Sequence, residues 1–114
     1  MAGSLPIVRA ATGDERTAAV RGLLPRDFRA ARALGERYLE IEPAERSADW
    51  LAGELFGDVS LLTADPRGLD PLKRRIRAGC ARDFRQGDLV LLEGWWLART
   101  EARLLALCAV LPTP

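Results

Sequence analysis

The sequence predicts a mainly α protein, a single domain of about five helices with one β-hairpin set just before a buried C-terminal helix. Three observations carry this prediction. Apolar residues recur at spacings of three and four through most of the chain, which is the helical period. Two short β-favouring runs, Leu89 to Leu92 and Trp95 to Ala98, are separated only by Glu93 and Gly94, the length of a tight hairpin turn. The last segment, Ala102 to Leu111, is apolar around almost its whole circumference and leaves no side for water. With 114 residues, 48% hydrophobic and 29% charged, the chain is sized for one core and needs no metal or disulfide framework to fold.

Residues 1–13, broken by Pro6, read as a flexible lead-in, and residues 14–114 as the globular helical domain. Asp14 caps a first helix that reaches Leu23, where Gly22 and Pro25 turn the backbone. A second helix starts near Arg26. Phe28, Ala31, Leu34, Tyr38 and Ile41 share one of its faces, and Arg29, Arg32, Glu36 and Glu40 the other. Ala31 and Gly35 are small enough to let another helix come close. Pro43 ends this helix and serves as the first turn of a third, which runs to Phe56 with Ala44, Ala48, Leu51, Ala52, Leu55 and Phe56 as its apolar stripe and Gly57 as its stop. Asp65, Pro66 and Gly68 mark residues 58–69 as a connector, whose Val59, Leu61 and Leu62 are expected to fold back over the core. Asp70 and Pro71 open a fourth helix that continues to Gln86, with Leu72, Ile76, Cys80 and Phe84 inward. After the hairpin, Thr100 is the expected N-cap of the last helix and Glu101 sits favourably in its first turn.

Composition narrows the chemistry. There is no histidine, which removes histidine-dependent triads, HExxH zinc sites and histidine-ligated haem. Seventeen basic and sixteen acidic residues give a net charge of +1, so no global field draws the chain to nucleic acid or membrane. Lys73 is the only lysine; the dominance of arginine, alanine and leucine reads as GC-rich bacterial coding. Cys80 and Cys108 form no CxxC pair and are expected as buried free thiols of a reducing cytosol. Met1 to Ala11 lack a secretory pattern, and Leu104 to Leu111 are too short an apolar run to span a bilayer, so the prediction is cytoplasmic, without membrane association.

Candidate functional residues then fall into groups. Helical spacing places Trp50 opposite the apolar stripe of the third helix with Arg46 one turn before it, a pairing of two residue types enriched at binding hot spots. The alternative is that Trp50 is covered by its own chain with Arg46 stacked on it. Trp95 and Trp96 are neighbours on a strand, so only one can face the core. Arg74, Arg75, Arg82 and Arg85 share a side of the fourth helix, where they form either an anion-binding strip for phosphates or a solvated face. Glu40, Glu42, Glu45 and Asp49 gather near one helix junction, but without EF-hand spacing they read as solvated charge. Tyr38 reads as core, and neither cysteine has a histidine base. No phosphate-loop, dinucleotide or nucleophile-elbow motif occurs, and neither a metal nor a cofactor is called for.

The segment Gly94-Trp95-Trp96-Leu97-Ala98-Arg99-Thr100-Glu101-Ala102-Arg103-Leu104, with Leu34, Gly35, Tyr38, Leu39, Pro43 and Glu45 as a companion stretch, resembles a pattern found in small uncharacterised bacterial helical proteins. The resemblance covers roughly half the chain and implies no activity. Within it Arg103 lies on an otherwise apolar helix and needs a carboxylate from another helix or an anionic group of a bound molecule. By elimination, the sequence favours a small non-catalytic accessory or adaptor protein that binds a larger protein or itself, with Trp50, Arg46, Trp95 and Trp96 as anchors. Nucleic acid or a phosphorylated ligand on the arginine strip is the alternative. A small enzyme using carboxylates and Arg103 is a further one.

Overall fold

The computed structural model describes residues 27–57 and 69–111. They form α1 (Phe28–Ile41), a 3₁₀ turn (Pro43–Glu45), α2 (Ala48–Phe56), α3 (Leu69–Gln86), β1 (Leu89–Leu92), β2 (Trp95–Ala98) and α4 (Arg99–Val110). The architecture is mainly helical, with four helices among the described residues rather than about five. The expected helix from Asp14 to Leu23, the lead-in and the connector lie outside those residues.

α4 is the axis of the fold. Ala102 and the run from Leu104 to Ala109 are buried, and α1, α2, α3 and the hairpin all pack on this helix. From Leu104 to Ala109 every position around the helix is apolar and buried, as the sequence requires, and the exposed or partly exposed polar residues Arg99, Thr100, Glu101 and Arg103 are confined to its first turns. The closest approach is to α1, at Gly35. A Cβ built there would lie 2.0 Å from the carbonyl oxygen of Leu105, so only a residue without one lets the two backbones meet.

Both ends of α4 are capped from other helices. Thr100 is not the N-cap. The helix begins two residues earlier than expected, at Arg99, Ala98 offers no side-chain cap, and the N–H of Thr100 donates to Oδ2 of Asp83 at 2.7 Å. Asp83, on α3, is only 4% exposed, so this bond satisfies both a buried carboxylate and an otherwise orphan N–H. At the other end Nη1 of Arg32 donates to the carbonyls of Cys108 (2.7 Å) and Leu111 (2.6 Å). A negative group at the N-terminus and a positive one at the C-terminus both oppose the helix dipole.

The third expected helix is two elements. Pro43 starts only a single 3₁₀ turn, and α2 begins after Ser47, whose side chain accepts from the N–H of Trp50 at 3.1 Å in an extended backbone conformation. A serine cap outcompetes continuation from a proline-led turn. In α3 the buried face carries Leu72, Gly79 and Asp83, and Phe84 is 57% exposed. Phe84 is about 100° around the helix from Asp83, so the side that takes the capping carboxylate inward turns the ring out.

The hairpin matches its predicted boundaries. β1 and β2 pair antiparallel with Leu89 opposite Ala98, Val90 opposite Leu97, Leu91 opposite Trp96 and Leu92 opposite Trp95. Glu93 and Gly94 both take positive φ, 49° and 83°, as a two-residue type I′ turn requires.

Candidate interaction site

Two arrangements converge where the hairpin joins α4. The first is a chain of hydrogen bonds that clamps four elements together. Arg103 forks onto Glu45, with Nε to Oε1 at 3.0 Å and Nη2 to Oε2 at 3.2 Å. The same Oε1 accepts the Tyr38 hydroxyl proton at 2.7 Å, and that hydroxyl accepts from Nη1 of Arg99 at 3.2 Å. Nε of Arg99 then donates to Asp88, just ahead of β1, at 3.2 Å. Glu42 (3.8 Å from Arg99) and Glu54 (3.9 Å from Arg103) add two further carboxylates at longer range. Trp50 covers the guanidinium of Arg103 with its ring centroid 5.0 Å away.

Electrostatics follow this geometry. Burial works to raise the Glu45 carboxyl, but Arg103, Tyr38 and Arg99 outweigh it and hold the group below the ordinary carboxylate value. Burial raises the Tyr38 hydroxyl, so it stays protonated and keeps donating to Glu45. The bond from Tyr38 raises Arg99 further, and Glu45 raises Arg103 against its own burial. Every group in the chain is matched by another of the same molecule. Such a set fixes geometry.

The second arrangement is the outer face of the hairpin. Leu91 and Trp96 stand opposite each other across the strands, 50% and 63% exposed. Trp95 is 72% exposed although its cross-strand partner Leu92 is buried. The expectation that one of the two tryptophans faces the core therefore fails. Trp95 occupies the inward-facing register, but it follows the turn directly, where the strand end leaves the core. No residue of either strand is charged, so the edges carry none of the charges or prolines that usually discourage strand pairing. Arg37 of α1 binds Glu93 in the turn at 2.5 Å, and Arg99 binds Asp88 at the base, so the hairpin is fastened at both ends.

The other predicted residues separate. Arg46 precedes α2 rather than lying on it, and it pairs with Glu36 of α1 at 3.0 Å; the indole of Trp50, 40% exposed, is met by Arg103 instead. Arg103 finds its carboxylate within its own chain. Glu40, Glu42 and Glu45 turn to Arg37, Arg99 and Arg103 respectively rather than toward one another. In the arginine strip, Arg75 faces α2, its Nε donating to the carbonyl of Leu55 at 3.1 Å, whereas Arg74, Arg82 and Arg85 are exposed. Sequence reasoning missed Leu91, Asp83 and Arg32. Leu91 was legible as the outward neighbour of Trp96 once the register was drawn, but the two capping residues act across long separations that no local pattern marks.

α1 and the 3₁₀ turn meet α4 here: Gly35 lies against Leu105, the Tyr38 hydroxyl accepts from Arg99, and Glu45 accepts from Arg103. Comparison with protein-family models, curated proteins and solved structures finds no match for the chain. Among the described residues no helix is long and apolar enough to cross a membrane.

Proposed function

We propose that this chain is a small accessory or adaptor protein that docks on a larger protein or on itself through the outer face and tip of its hairpin. The observation that carries the reading is the Leu91–Trp96 pair with Trp95 beside the turn, large apolar groups exposed on a support fastened at both ends. Scattered exposed apolar residues are ordinary, but paired aromatic and aliphatic side chains on two uncharged strands form the centre of a recognition surface. Covering the exposed part of Trp96 alone removes on the order of 150 Å² from water, roughly 4 kcal/mol before the costs of association. Trp50 contributes its free edge. Arg46, tied to Glu36, takes the weaker part in this reading.

Native mass spectrometry of the protein purified from its own host, compared with a Leu91→Ser/Trp96→Ser variant, tests this. Support is a complex of fixed stoichiometry, with itself or another chain, that the variant loses while its circular dichroism and melting temperature stay within a few degrees of the wild type. A monomer without partners, or a complex indifferent to the variant, overturns it.

A further inference from the structure

We propose that the outer face of α3 is a second site, one that binds single-stranded nucleic acid through its phosphodiester backbone. Lys73, Arg74, Arg77, Arg82 and Arg85 are exposed there, and none makes a hydrogen bond or ion pair with another described residue. Elsewhere in the described chain most arginines do find partners: Arg32, Arg37, Arg46, Arg75, Arg99 and Arg103 are all engaged. Apart from Arg29 on α1, the described arginines without a partner all lie on α3. Positions 74, 77, 78, 81, 82 and 85 follow one another at spacings of three, one, three, one and three, so two arginine pairs share a strip with Ala78 and Ala81 between them. The pairs are about 12 Å apart along the axis.

The chemistry of this strip selects its occupant. Like charges at such spacings repel and weaken the free helix, a cost that an anionic ligand offsets. Guanidinium forks match phosphate oxygens two at a time, and alanines between them let a backbone approach without obstruction. An acidic protein surface fits less well. The strip itself offers only alanine methyls, and the exposed ring beside it, Phe84, stands at its edge, whereas protein interfaces centre on clustered, buried aromatic or aliphatic groups. Phe84, 57% exposed, lies along the same flank of the helix as Arg77 and supplies a ring on which an unpaired base can stack. Because bases are free to stack only outside a duplex, the single strand is the form selected. With a net charge of only +1 the molecule adds little long-range attraction, so local contacts carry the affinity.

The experiment is fluorescence anisotropy of the full chain with labelled oligo-U RNA and oligo-dT DNA of about 20 nucleotides, a duplex of the same length, and poly-L-glutamate as competitor. Four arginine–phosphate contacts predict a slope of about −3 in log K against log salt, a loss of roughly 50-fold between 50 and 200 mM. Arg82→Gln should reduce that slope by about 0.7, and the Arg74, Arg77, Arg82 and Arg85 to Gln variant should remove binding with circular dichroism unchanged. Phe84→Ala should weaken the single strand roughly tenfold. The Leu91→Ser/Trp96→Ser variant should bind like the wild type, since the strip is independent of the hairpin reading. Any of four results overturns the proposal: no binding up to about 100 μM at 50 mM salt, competition by poly-L-glutamate as effective as by unlabelled oligonucleotide, preference for the duplex, or glutamine variants that bind unchanged.

Discussion

Replacing Gly35 with alanine should destabilise the protein although it improves an α-helix. The added Cβ would lie 2.0 Å from the Leu105 carbonyl oxygen, 2.5 Å from the Leu105 carbonyl carbon and 2.9 Å from the Ala106 nitrogen. All three are backbone atoms of the buried central helix, so none can swing aside. To restore contact near 3.4 Å, α1 must retreat by about 1.4 Å, which also loosens Tyr38 and Leu39 on the same face. Overpacking of this kind costs typically 1–3 kcal/mol or more, and the gain in helix propensity returns only about 0.8–1 kcal/mol. The collision is at the upper end, so the net loss should be about 2 kcal/mol, a fall in melting temperature of roughly 10 °C. Urea and thermal unfolding followed by circular dichroism measure it. Gly53→Ala is the matched control, because a Cβ on that exposed α2 position meets nothing within 4 Å. It should stabilise by up to about 1 kcal/mol. If Gly35→Ala instead melts at or above the wild type, propensity governs both sites and the close α1–α4 crossing is wrong.

Other consequences concern the caps and the buried polar groups. Asp83→Ala should cost about 1–2 kcal/mol in urea unfolding by stripping the N-cap from α4, and Asp83→Asn should recover part of it. Glu45 is held below its ordinary value of 4.5 in the folded state. Its contribution to stability is therefore present above that pH and is lost as pH falls through the lowered value, so Glu45→Gln should unfold more easily at pH 7 yet lose less on acidification than the wild type. Burial pushes the Cys108 thiol up to about 12, so in a Cys80→Ser background no thiol should react with a disulfide reagent at pH 8 until urea unfolds the chain.

How much of this was legible depended on how locally each feature is specified. The hairpin was read to the residue because Glu93 and Gly94 alone separate two uncharged runs, and its register follows from the turn length. The burial of α4 followed from the run after Arg103, which is apolar around its whole circumference. The start of α2 failed because two local signals competed, Pro43 and Ser47, and the sequence ranks them only through cap geometry. Thr100 failed for a different reason. A good cap residue was present, but Asp83, seventeen positions earlier, reached the same helix end first, and Thr100 instead packs its side chain over Gly79. Phe84 was misplaced as a consequence, since a carboxylate drawn inward rotated the whole face of α3. Within the candidate site, Arg103 was foreseeable as a charge needing a mate, while the fork onto Glu45 and the lid of Trp50 arise only when α1, α2 and α4 meet.

Oxidative footprinting of the free chain and of the complex isolated from its host tests most directly whether the hairpin is the surface by which this protein engages others. The account predicts rapid labelling of Trp95 and Trp96 in the free chain, slower labelling of Trp50 under Arg103, and strong protection of Leu91 and Trp96 in the complex. Indoles on the hairpin that are already protected in the free chain, or that label at equal rates in both states, would contradict it.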